Sequence, residues 1–401
     1  MMDKSLLTRL LWARGLRAFA DGYVSLLLPV YLMSLGMGPF EVGAIATATL
    51  LGSGALTLVV GLHAWRFHYR TLLLAASVLM AATGIGFAAI QDFWPLLVVA
   101  IVGTLNPSSG DVSVFLPLEH ALLSRSVQDA DRTAAFARYS LTGSLLAALG
   151  SLAAALPDHA SSWLHTDKQF AMQMMFVLYG AIGMVCGLIY RTAPLRLESQ
   201  LQTKPAPLHK SKRIVYTLAA LFSLDSFGGG FVVQSLIALW LYQRFDLSMT
   251  VAGTIFFWTG LFSAFSYLVA VRFAKRFGLV NTMVFTHLPA NIFLVLVPFM
   301  PTLGWAIALL CARSALSQMD VPTRSSYVMA IVSPDERAAA ASVTAVPRSL
   351  ASAVSPLFAG YMLAISAFGW PLVIAGTIKV IYDLLLLGMC RKVPPPEEQE
   401  S

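Results

Sequence analysis

Twelve long apolar blocks run through this sequence, at about 12–35, 40–62, 71–90, 95–122, 133–156, 170–190, 214–241, 249–271, 280–299, 304–332, 338–364 and 370–390. Short polar breaks such as Gly36-Met37-Gly38-Pro39 separate them. A helix that crosses a bilayer needs about 20 mostly apolar residues. In hydrocarbon every backbone N–H and C=O must find a partner within the chain, so blocks of this length are expected to be helices. The rest of the 401 residues is too finely divided among loops to build a separate soluble domain. Only 12% of the residues are charged and 57% are hydrophobic. A water-soluble chain carries about 25% charged residues. This chain cannot cover a water-facing surface, which excludes a soluble enzyme.

The net charge of +7 is informative through its placement. Counted over alternate breaks, 21 of the 27 Lys and Arg fall on one side, while Lys168 and Arg244 alone fall on the other. Arg313, Arg324, Arg348 and Lys379 lie inside apolar blocks. Basic loops stay on the cytoplasmic side. Both termini are therefore expected in the cytoplasm, with the chain threaded through the cell inner membrane. The basic start is read as the flank of an uncleaved first span. Basic loops explained this way need no nucleic acid as partner. Cys186, Cys311 and Cys390 are scattered, so neither a disulfide framework nor a metal site is expected. No phosphate-binding loop or hydrolase signature is present, so no cofactor is expected either.

The longest polar stretch, 191–213, carries Pro194, Pro205 and Pro207 and divides the chain. The expected domains are a six-helix bundle at 1–190, a cytoplasmic linker at 191–213, a second bundle at 214–390 and a cytoplasmic tail at 391–401. The two halves echo each other. Ala64-Trp65-Arg66-Phe67-His68 after the second block is repeated as Ala274-Lys275-Arg276-Phe277-Gly278 after the eighth, 210 residues later. Asp111-Val112 returns as Asp320-Val321, and Asp131-Arg132-Thr133-Ala134-Ala135 as Glu336-Arg337-Ala338-Ala339-Ala340. Matching segments run the same way through the membrane, which makes this a parallel repeat.

Two six-helix halves, a mid-chain linker and this loop motif resemble the major facilitator superfamily of secondary transporters, over nearly the whole chain. Its loop signature reads roughly G-x-L-A-D-R-x-G-R-R. Gly61, Ala64, Arg66 and Arg70 match it here, with Leu62 one place early, and Ala274, Arg276 and Gly278 match it in the second half. Trp65 and Lys275 stand where the Asp would be, so the gating salt bridge of that Asp does not carry over. The proline of a drug-antiporter signature is also missing from Ser144-Leu145-Leu146-Ala147-Ala148-Leu149-Gly150. The resemblance implies an all-α membrane fold of twelve helices in two pseudo-symmetric bundles. It also implies one central site reached by alternating access, and residues 61–70 and 274–278 as gating loops.

Ionisable groups at membrane depth cost several kcal/mol unless they face a cavity or a partner. Asp21, Asp111, Asp225 and Asp320 fall one each in the first, fourth, seventh and tenth segments. The resemblance makes those four segments the walls of the central cavity. These aspartates are the candidate proton carriers, and Asn106, in the Pro/Gly-containing fourth segment, is a candidate substrate contact. Arg313, Asp320 and Arg324 are spaced to share a helix face and form a candidate anion site. Lys379 and Asp383, four apart, read as an internal ion pair. The expected function is proton-coupled efflux of a drug-like compound by a monomer, with small solutes, protons and lipid as its partners. The alternatives are proton-coupled uptake of a small organic anion and, in another class, a multi-spanning membrane enzyme.

Overall fold

The computed structural model describes residues 4–63, 67–108, 113–126, 129–193, 211–332 and 336–390. Among these residues there is helix and no strand. The helices are α1 (Lys4–Ser34), α2 (Pro39–His63), α3 (Tyr69–Ala89), α4 (Phe93–Val102), α5 (Phe115–Ser126), α6 (Asp129–Ala153), α7 (Leu156–Leu164) and α8 (Lys168–Thr192). There follow α9 (Lys212–Gly230), α10 (Gln234–Phe245), α11 (Met249–Phe277), α12 (Leu279–Leu296), α13 (Leu303–Ser317), α14 (Asp320–Ile331), α15 (Arg337–Ile365) and α16 (Trp370–Cys390). Among the described residues ten helical stretches are long and apolar enough to cross a membrane, with α9 and α10 together forming one of them. α4 and α13 are shorter apolar helices, each continued by a second helix after a break. These two broken segments and the ten long stretches account for the twelve expected blocks.

The three breaks follow from local chemistry. The fourth segment opens after Val102 because Gly103 is extended and Pro107 cannot donate to a helical ladder. Asn106 closes a turn there, its Oδ1 accepting from the Ser108 N–H at 3.1 Å and from the Ser108 hydroxyl at 2.7 Å. The seventh segment loosens at Phe231–Val233, directly after the three glycines 228–230. Its second part starts beside the first break, where the Ser235 N–H donates to the Pro107 carbonyl at 3.0 Å. The tenth segment, expected as one helix, breaks at Gln318 and Met319. Pro322 explains it: a proline has no N–H to give the carbonyl four residues earlier, and it is tolerated in the first turn of a new helix.

The chain forms two compact units. One holds Met1–Gln202 with Val233–Phe257, the other Thr203–Val232 with Trp258–Ser401. In the first unit α1 packs along α6 and α3 along α8; in the second, α9 packs along α15 and α12 along α16. Small residues let the backbones meet, as association in lipid requires. A β-carbon on Gly22 would lie 2.1 Å from the Ala147 carbonyl oxygen, and one on Gly230 would lie 2.2 Å from that of Ser352. These contacts repeat at separations of 208 and 205 residues, so the sequence repeat is also a repeat of packing.

Candidate functional site

Each unit buries a polar cluster. In the first, Arg17 of α1 reaches Glu119 of α5, and both are essentially inaccessible, at 3% and 0% exposure. The Tyr139 hydroxyl of α6 donates to the same carboxylate, and that of Tyr190 in α8 donates to Glu119 Oε1 at 2.6 Å. The Arg17 guanidinium lies 4.1 Å from the Phe115 ring centre, and that of Arg14 lies 5.2 Å from the Tyr139 ring centre. Arg17 is long enough to snorkel toward an interface. It turns inward instead, because a carboxylate and an aromatic face wait inside.

Among the predicted residues of this unit, Asp21 is buried and close enough to Tyr23 and Tyr179 to act on both electrostatically. Asn106 is buried, and its carbonyl oxygen serves the turn of the broken fourth segment. The Tyr179 hydroxyl donates to the Thr104 carbonyl at 3.0 Å and supports the same break. Asp111 lies outside the described residues.

The second unit carries the larger cluster. Asp225 sits in the last turns of α9, 5% exposed. Its Oδ2 accepts from Arg324 of α14 at 3.0 Å, and its Oδ1 accepts from Lys379 of α16 at 2.6 Å. Arg324 also pairs with Asp320, one turn earlier in α14. The guanidinium rests on Phe222 and Tyr382, 5.1 and 5.7 Å from the ring centres. Hydrogen bonds and aromatic faces together make burial of a guanidinium tolerable. The structure thus brings together three of the predicted residues, Asp225, Asp320 and Arg324. Arg313, in α13, is partly buried, and its Nε has no hydrogen-bond acceptor. Arg348 of α15 donates from Nε to the Ser226 hydroxyl at 3.2 Å.

Lys379 does not pair with Asp383, as their spacing suggested. It reaches Asp225, whereas Asp383 turns to α12. There His287 Nδ1 lies 2.8 Å from Asp383 Oδ1, and the Asn291 amide donates to Asp383 Oδ2 at 2.8 Å. His287 Nε2 is 3.8 Å from Asp225 Oδ1. Sequence reasoning missed His287 and Asn291. The available signal was two polar side chains four apart, hence on one face, in an otherwise apolar helix.

The loop motif divides. Ala64 and Arg66 lie outside the described residues, and Gly61 sits in the last turn of α2. Arg70 donates to the Ala193 carbonyl at 2.9 Å and so caps the end of α8. In the second half Ala274 accepts from the Gly278 N–H, and Arg276 is exposed over Phe277. Gly278 has φ +85°, a conformation that glycine adopts without strain, and it makes the α11–α12 turn. Glu336, at the head of α15, accepts from the Ser211 N–H at 3.0 Å and caps α9.

A model of the Major Facilitator Superfamily matches residues 10–312 and 218–401. An uncharacterized membrane protein of Saccharomyces cerevisiae, YJR124C, is 26% identical over 419 aligned positions, covering 95% of this chain and 93% of the yeast protein. The fold is shared with a point mutant of the nucleoside transporter NupG, at TM-score 0.76 and 14% identity, covering 96% and 99% of the two chains. It is also shared with the xylose transporter XylE of E. coli, at TM-score 0.72 and 14% identity, covering 98% and 99%.

Proposed function

The chain belongs to the Major Facilitator Superfamily of multi-pass membrane transporters, and on that premise we propose that it is a proton-coupled carrier whose substrate bears an anionic group. The observation that carries this reading is the charge balance in the second unit. Asp225, Asp320 and Asp383 meet Arg324 and Lys379 in direct contact with the first two, while Arg313 and Arg348 add cations with no carboxylate within 4 Å among the described residues. Efflux of a cationic compound would draw on Asp21, Asp111, Asp225 and Asp320 as acidic walls of a cavity. Two of them are already neutralised by neighbours, so what the unit has to offer is positive charge. An anionic group on Arg313 would give its guanidinium the acceptor that a buried donor needs. Nucleosides and xylose are the cargo of the two structural neighbours, and at 14% identity neither names a substrate here.

In this reading Arg313 and Arg324 hold the anion, and Asp225 and Asp320 tie Arg324 to the proton. Asp21, Asn106 and Asp111 serve the first bundle, at 1–190, and the loops around Arg66, Arg70, Ala274 and Arg276 control access. The carrier is a monomer in the inner membrane with both termini in the cytoplasm. Each proton moved with the field supplies about 2.3 kcal/mol per 100 mV, enough for useful accumulation. A second reading, proton-coupled efflux of a drug-like compound, draws on Asp21 beside Tyr23 and Tyr179, an acid among aromatics that suits an amphipathic cation.

Reconstituted protein in vesicles loaded with a pH-sensitive dye distinguishes the two. A panel of mono- and dicarboxylates should include at least one member that acidifies the lumen on inward movement. Arg313→Gln should weaken that response by about tenfold or more, the loss of one charged hydrogen bond. Proton movement driven by cationic drugs alone, unchanged in Arg313→Gln, would overturn the anion reading.

A further inference from the structure

The charge balance that supports the anion reading leaves one buried carboxylate without a permanent cation, and that carboxylate is held by a histidine. Asp225 and Asp320 together face Arg324 and Lys379, two negative charges against two positive ones. Asp383 is fully buried, and its partners are His287 and the neutral amide of Asn291. With a neutral imidazole, Asp383 is a buried anion stabilised by hydrogen bonds only. With an imidazolium, the Asp383–His287 pair is neutral. A buried charge without a counter-charge in contact is costly, so the protonation state of this pair sets the charge at the α12–α16 end of the cluster.

The geometry also gives the proton an effect. His287 is 4% exposed, in the middle of α12. It faces Asp225 of α9, Asp383 of α16 and Asp320 of α14, with Arg324 and Lys379 bound to the same Asp225, while Tyr382 stands edge-on with its ring centre 6.0 Å away. Nδ1 lies 2.8 Å from Asp383 Oδ1 and 3.1 Å from the Asn291 amide nitrogen; the carboxylate is the acceptor of the two, so Nδ1 carries the proton and Nε2 the lone pair. Nε2 points at Oδ1 of Asp225, the same oxygen that Lys379 occupies at 2.6 Å, from a distance of 3.8 Å. That gap is too long for a hydrogen bond.

We propose that His287, oriented by Asp383 and Asn291, is the group that takes up and returns the coupling proton, and that its charge loosens Arg324 for the substrate anion by drawing Asp225 away. This rests on the proton-coupled reading and goes further by naming the carrier. The step balances simply. A proton from water bonds to the Nε2 lone pair, and the ring becomes an imidazolium. Nδ1–H keeps its bond to Asp383, and Nε2–H closes on Asp225 Oδ1 in competition with Lys379. As Asp225 moves, its Oδ2 leaves Arg324, whose freed N–H groups can take a carboxylate. Departure of the anion lets Arg324 recover Asp225, and the proton leaves Nε2. Proton and anion bind in support of each other, as symport requires. Asp383 and Asn291 are positioning residues.

Difference infrared spectroscopy on the protein in lipid vesicles, between pH 5 and 8, reads which group titrates and needs no substrate. The wild-type spectrum should contain imidazole ring bands that His287→Gln removes, although six other histidines remain. Asp383→Asn should keep those bands and displace the pH at which they appear by about one unit or more, the usual effect of a contacting carboxylate. This variant decides the matter if His287→Gln does not fold. A protonated-carboxyl band carrying the titration, with imidazole bands unaltered in both variants, would overturn the assignment to His287. Failure of every carboxylate to move protons in the vesicle assay would instead defeat the coupling reading, and the spectrum would still report whether His287 titrates.

Discussion

The two units carry the same device with the charges exchanged. In the first, a cation on α1 meets a carboxylate on α5; in the second, a carboxylate on α9 meets a cation on α14. Arg17 and Asp225 are 208 residues apart, and Glu119 and Arg324 are 205 apart, the separations of the internal repeat. The surroundings differ in kind. Glu119 is filled by one guanidinium and two tyrosine hydroxyls, none of which changes charge near neutral pH. Asp225 is shared by Arg324 and Lys379, with a histidine waiting at 3.8 Å. A buried carboxylate held by three donors from three helices acts as a clamp. A buried pair with a titratable neighbour just out of reach can rearrange. The same helix pairing is thus finished in two ways, and in the second a histidine nitrogen stands against the paired carboxylate itself.

The sharpest way to break this comparison is to remove the carboxylate of the clamp. Glu119→Leu leaves Arg17 buried without its partner and should lower stability by about 3–5 kcal/mol. Arg17→Met together with Glu119→Leu should recover much of that loss, because the paired desolvation cost disappears as well. Thermal unfolding in detergent measures both, and a double variant no more stable than the single one would show that Arg17 is not held as described. The corresponding change in the other unit should cost less. Asp225→Asn removes the charged acceptor of two cations, but Arg324 retains Asp320 and the amide oxygen can still accept from Lys379. A loss of about 1.5–3 kcal/mol is expected, with proton-driven uptake abolished. Equal destabilisation by the two changes would erase the distinction between clamp and switch.

Much of this was legible in the sequence. Charge is so costly in hydrocarbon that Asp225, Asp320, Arg313 and Arg324 stand out by their presence alone. Helix lengths follow from bilayer thickness, so most of the expected blocks lie close to the observed helical stretches. The pairings were not legible in the same way. Arg17 and Glu119 are 102 residues apart, and His287 and Asp383 are 96 apart, so nothing local joins them. Where a local rule was available it misled: Lys379 and Asp383 fit an i,i+4 pair, but each is drawn to a different helix. The break at Gln318 was readable from Pro322, yet the apolar periodicity around it concealed the missing ladder bond. Helix-scale patterns record what lipid demands, whereas the site is built from contacts between helices.

Packing offers a gentler comparison, because here the units should agree. Gly22 and Gly230 let their helices approach a carbonyl so closely that an added β-carbon would overlap it, at 2.1 and 2.2 Å. Gly22→Ala and Gly230→Ala should each force a backbone shift and cost about 1–3 kcal/mol, the usual range for overpacking. If the repeat is a repeat of packing, the two losses should match within about 0.5 kcal/mol. Gly230→Ala should also disturb transport more, since Gly230 lies five residues beyond Asp225 and at the edge of the break in the seventh segment. Unfolding curves supply the first number and dye-loaded vesicles the second. A Gly22→Ala variant that transports as poorly as Gly230→Ala at equal stability would mean that the first unit also moves during the cycle, and the clamp on Glu119 would then have to be counted among the moving parts.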